Sequence, residues 1–79
     1  MLIITINMEP LTDRETEILK HLAEGKLNKE ISNELVISLD TVKKHVKNIY
    51  RKINARNRID AVHYALQLKA QEKDKSAIS

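Results

Sequence analysis

Apolar residues recur at spacings of three and four in four stretches of this chain, with polar and charged residues between them. That period marks amphipathic α-helices rather than strands. The first helix opens at Thr12-Asp13-Arg14-Glu15, a capping box in which the hydroxyl and the carboxylate each satisfy a free backbone N–H. Ile18, Leu19, Leu22 and Ala23 form its inward stripe, and Gly25 follows where a helix end favours a left-handed residue. A short second helix covers about residues 28–35 with Ile31 and Leu35 inward. Leu27 cannot cap it, so Asn28 is expected to. The third helix, 39–53, is capped by Ser38, and Asp40 in its first turn suits the helix dipole. Asn54-Ala55-Arg56-Asn57 then breaks the pattern, and Asn57 caps a fourth helix over about 58–70 with Asp60 at the reciprocal position.

The fourth helix is apolar on more than one side. Ile59, Val62, Ala65 and Leu66 share one face, while Ala61, Tyr64 and Leu68 lie on the next. Surplus apolar surface on a terminal helix points to a partner, which makes Ala61, Tyr64 and Leu68 the candidate dimer interface. Residues 1–9, with a β-prone run from Leu2 to Ile6, read as a flexible leader or linker. Residues 71–79 are polar and read as a disordered or frayed tail. The expected fold is therefore all-α: four helices around one core in residues 10–70.

Composition narrows the class. Seventy-nine residues suffice for one small domain, and the only aromatics are two tyrosines, so the core is aliphatic. One glycine and one proline argue against a turn-rich sandwich or barrel. Without cysteine there is no disulfide framework or thiolate metal site, and the three histidines lack helix-face metal spacing. Neither a bilayer-spanning apolar run nor a charged signal-peptide start is present. Nucleophile–base pairs and phosphate-cradling glycine loops are likewise missing. No enzyme, cofactor, metal, membrane contact or small-molecule ligand is expected of this domain.

Charge is where the chain becomes specific. Residues 38–58 carry seven cations (Lys43, Lys44, Lys47, Arg51, Lys52, Arg56 and Arg58) against Asp40 alone, while residues 9–34 are net acidic. Wound at about 100° per residue, Val42, Val46, Ile49 and Ile53 fall within roughly 60° of one another. Lys43, Lys44, Lys47 and Arg51 share an arc of about 100° on the far side. A helix greasy beneath and cationic above is suited to lie on a polyanion. Because a short helix precedes it through the tight Val36-Ile37 link, the pair suggests a helix-turn-helix with the third helix entering the major groove.

Several stretches carry a family resemblance: Leu11-Thr12-Asp13-Arg14-Glu15, Glu17-Ile18-Leu19, Ala23-Glu24-Gly25, Asn28-Lys29-Glu30-Ile31, and Ser38 with Thr41-Val42-Lys43-Lys44-His45-Val46, then Ile49, Lys52, Arg58 and Ala61. In this order and spacing they resemble the LuxR/NarL-type (GerE-like) helix-turn-helix domain of bacterial transcription regulators, over about residues 10–68. The resemblance implies a cytoplasmic, nucleoid-associated protein and a domain often found at the end of a response regulator. It implies that the third helix recognises double-stranded DNA and the fourth mediates homodimerisation, with RNA polymerase as a further partner. By position, Lys43, Lys44 and Lys47 are candidates to face bases. Asn28, Lys29, Ser38, Thr41, His45 and Arg51 are candidates to face phosphates. Two departures stand out: Leu27 replaces a usual Ser or Thr, and Ser32 a usual Ala.

Some residues read as structural. Thr12, Glu15, Gly25 and Arg58 belong to the scaffold, and His21 and His63 to surface or packing. Glu15 falls on the apolar side of its helix, so its carboxylate needs a partner, expected to be Arg58 or Arg56. His45 leans toward the apolar arc, where a half-buried ring is an alternative to a phosphate contact. Two other functions fit parts of the pattern. A sigma-factor-like promoter-recognition domain shares the motif but commonly has Gly where this chain has Val36-Ile37. A helical protein-interaction module would instead turn the cationic face toward an acidic protein.

Overall fold

A computed structural model describes the backbone of residues 9–78 and the side chains of residues 9–70. The leader expected over residues 1–9 lies outside the described residues except for Glu9. Four helices follow in order: α1 (Asp13–Ala23), α2 (Asn28–Leu35), α3 (Leu39–Ile53) and α4 (Arg58–Ile78). No strand occurs among the described residues. The backbone of α4 continues helically to Ile78, where the polar composition predicts an end near residue 70.

The caps explain most boundaries. At α1 the Thr12 hydroxyl accepts the Glu15 N–H at 3.0 Å, and the Glu15 carboxylate accepts the Thr12 N–H at 3.0 Å. At α3 the Ser38 hydroxyl accepts the Thr41 N–H at 3.0 Å. At α4 the Asn57 side chain accepts the Asp60 N–H at 3.0 Å, while the Asp60 carboxylate turns to the Arg56 N–H rather than to Asn57. That bond from the Arg56 N–H, and the Arg56 guanidinium beside it, hold Asp60 below the usual carboxylate range. The expected Asn28 cap is not found. Asn28 is already helical, Leu27 stands at the cap position, and the Glu30 carboxylate accepts the Leu27 N–H at 2.7 Å.

Three helices stop in the same way. Gly25, Val36 and Asn54 are left-handed, with φ of 86°, 56° and 58°. The next N–H in each case reaches back to a carbonyl in the final turn: Lys26 to His21, Ile37 to Ser32 and Ala55 to Tyr50. Gly25 takes this conformation freely and asparagine tolerates it, but a β-branched valine does so only under strain.

Ile18, Leu19, Leu22, Ile31, Val42, Val46, Ile49 and Ala61 form the core. Each large aliphatic side chain removed from water there contributes about 1.5–3 kcal/mol before chain entropy is counted. α3 packs against all three other helices, with α1 and α4 closing the opposite side. Buried Ser32 is satisfied by donating its hydroxyl to the Lys29 carbonyl at 2.8 Å, so its polarity disturbs nothing.

Glu15 is paired, but not with the expected arginines. The residue is 4% exposed, and its carboxylate accepts a hydrogen bond from the Lys52 ammonium of α3 at 2.8 Å. Burial pushes its pKa up, but the Lys52 bond and the Thr12 N–H outweigh this and hold it below its usual value. Arg58 donates instead to the Lys26 carbonyl, tying the start of α4 to the α1–α2 turn. Arg56 stays on its own side, paired with Asp60. The separation is geometric: Lys52 of α3 reaches Glu15 of α1, while Arg58 is spent on the α1–α2 turn and Arg56 on its near neighbour Asp60.

Candidate nucleic-acid interface

The buried stripe Val42, Val46 and Ile49 fixes how α3 is rotated, and therefore what its other side offers. Lys43, Lys44 and Lys47 are all exposed, and none makes an ion pair among the described residues. Three unneutralised ammonium groups thus form an open ridge over an aliphatic base. The other cations of the basic segment are occupied. Arg51 is exposed but meets Glu9, the residue two before Leu11, at 3.2 Å. Lys52 is withdrawn to Glu15 and also approaches the Pro10 carbonyl at 3.4 Å.

At the start of α3, Ser38 and Thr41 divide their hydrogen bonds. The Ser38 hydroxyl accepts the Thr41 N–H and donates to the Thr41 oxygen at 2.8 Å. This leaves the Thr41 hydroxyl proton available to an outside acceptor. Half-buried Asn28 and exposed Lys29 open α2, and among the described residues neither side chain makes a hydrogen bond or ion pair. His45 is half-buried beside the ridge, as its place on the edge of the apolar arc predicts.

Beside this surface, the α1–α2 turn is locked by charge. Lys26 meets Glu34 at 2.9 Å, Glu24 at 3.2 Å and His21 Nδ1 at 3.0 Å. The Glu34 bond raises the ammonium pKa, and Lys26 in turn lowers that of Glu34. His21 therefore belongs to a scaffold cluster that pins α2 to α1.

The α4 candidates separate. Ala61 is fully buried in the core and presents no free surface, while Tyr64 is half-buried against the core and leaves part of its ring exposed. Leu68 remains exposed, and the more prominent apolar side chains are Ile59 and Leu66. Ile59, Val62 and Leu66 border a shallow groove with Leu22 and Ala23. Ala61 is the candidate that turns inward, because both sides of α4 are apolar and periodicity does not say which one the core takes.

A family model described as "Bacterial regulatory proteins, luxR family" matches residues 9–65. The chain belongs to the luxR family of bacterial regulatory proteins. It is a helix-turn-helix domain of the kind through which this family binds DNA. Among curated relatives it is similar to "Transcriptional regulatory protein LiaR" of Bacillus subtilis (strain 168), at 53% identity over 57 residues. That match covers 72% of this chain but 27% of the relative, so the luxR-family chain spans about a quarter of that protein's length. No helix among the described residues is long and apolar enough to cross a membrane.

Proposed function

We propose that this domain binds double-stranded DNA sequence-specifically as a homodimer on an imperfect palindrome, and so regulates transcription. α3 enters the major groove, Lys43, Lys44 and Lys47 face base edges, and Asn28, Lys29, Ser38, Thr41, His45 and Arg51 border the phosphates. The observation that carries this reading is the ridge of three exposed, unpaired lysines above a buried aliphatic stripe. Lysine favours guanine O6 and N7 as partners. Free N–H groups at the start of α2 add to the phosphate contacts.

One helix reads only a few base pairs, and a two-fold partner supplies the second half-site about one helical turn away. The exposed apolar side chains on α4, chiefly Ile59 and Leu66 with Leu68 beyond them, support that partner surface. RNA polymerase is a further partner in this reading, contacted from the bound dimer.

Selection of bound sequences from a random duplex pool, followed by sedimentation with the selected duplex, tests all of this together. The expected result is a two-fold symmetric site, two chains per duplex and affinity falling steeply with salt. A single asymmetric site occupied by one chain would contradict the dimer. Absence of any selected sequence would contradict specific binding.

A further inference from the structure

The lysine ridge of α3 contains one residue of the opposite sign. Asp40 precedes Lys43, Lys44 and Lys47 by three, four and seven residues, which places it within roughly 60° of each on the helix surface. It is exposed, and none of the described residues forms an ion pair with it. Nor is it the helix cap, because the Ser38 hydroxyl holds that position.

A carboxylate facing the major groove is repelled by the phosphates on both sides, so it weakens binding to every duplex alike. What offsets this is a base whose own edge offers a donor and no acceptor. Guanine and thymine present acceptors there, and adenine sets its N7 acceptor beside the N6 amine. Cytosine presents the N4 amine alone.

We propose that Asp40 is a specificity-determining residue, its carboxylate accepting a hydrogen bond from the N4 amino group of a cytosine in the major groove. Lys44 lies about 6 Å further along the helix axis. That is just under two base-pair steps of about 3.4 Å, which places the cytosine within about two base pairs of the guanine that a ridge lysine reads. The inference rests on α3 being the recognition helix and adds the base that its acidic end selects. A first-turn acid also favours the helix dipole. That role would alter melting and leave base preference untouched.

The test is selection from a random duplex pool with the 79-residue chain, D40A and D40N, followed by competition between duplexes differing at one position. The parent is expected to prefer cytosine at one position of each half-site by about 5- to 100-fold. D40A brings that position near parity, keeps the preferences elsewhere and binds random duplex more tightly. D40N, which can both donate and accept, moves the preference toward adenine. Unchanged preferences in both variants, or a uniform weakening at every position with a lower melting temperature, would overturn the assignment to Asp40 alone. Failure of the parent to select any sequence would overturn the recognition-helix reading and this inference with it.

Discussion

Lys47 and Lys52 are the same residue type on the same helix, yet their surroundings differ completely. Lys47 stands in solvent with no ion-pair partner among the described residues. Lys52 has a side chain 12% exposed and is bound to a Glu15 side chain 5% exposed. The face of α3 that Val42, Val46 and Ile49 bury decides which is which. One lysine is free for a ligand because the other helps hold the helix at its angle. Positive charge along this segment is thus two populations, a ridge that can meet DNA and a fastening that cannot.

The sharpest way to break this contrast is to remove the fastening. Lys52→Met leaves the Glu15 carboxylate buried with only the Thr12 N–H, and should cost about 3 kcal/mol of stability in urea unfolding. Glu15→Ala should cost a similar amount by stranding the ammonium. If either variant unfolded at the parent's midpoint, the pair would not be structural.

The ridge should respond in the opposite sense. Lys44→Ala or Lys47→Ala is expected to reduce discrimination between cognate and altered duplexes by about 1–3 kcal/mol at particular positions. The urea midpoint should stay within about 0.5 kcal/mol of the parent, since exposed, unpaired side chains contribute little to stability.

Acid should act on the fastening and spare the ridge. Glu15 is held below its ordinary pKa in the folded chain, so the stability it contributes is present above the carboxylate range. It is lost as the pH falls through the folded value. Thermal melting between neutral and acid pH should show this decline, and Lys52→Met should flatten it.

A smaller effect separates the helix ends. Val36 has the same left-handed conformation as Gly25 and Asn54, but the residue is 87% exposed and buries almost nothing in return. Val36→Asn should raise stability by about 1 kcal/mol by relieving that strain. Gly25→Val should lower it, although a Cβ at Gly25 meets nothing within 4 Å, because φ alone is unfavourable. Calorimetry of the two variants checks both signs.

Much of this was legible in the sequence, for identifiable reasons. Thr12, Ser38 and Gly25 bracket α1 and begin α3 because capping chemistry is local, and the period of Val42, Val46 and Ile49 suffices to point the lysines outward. Partners distant in sequence were not legible. Lys52 and Arg51 are adjacent, and only the approach of α1 sends the first to Glu15 and leaves the second to Glu9. α4 shows the limit of periodicity, since apolar residues on two faces left the burial of Ala61 to tertiary packing. Val36 carried no turn signal at all, because the helix end there is imposed by its neighbours against valine's preference.

Amine labelling of the chain, free and bound to its selected duplex, tests the division between the two populations most directly. Lys43, Lys44 and Lys47 should react readily when free and become protected on binding, Lys20, exposed in the last turn of α1, should react equally in both states, and Lys52 should react slowly in both. Ridge lysines that stay fully reactive in the complex, or a Lys52 that labels as fast as Lys47, would contradict the account.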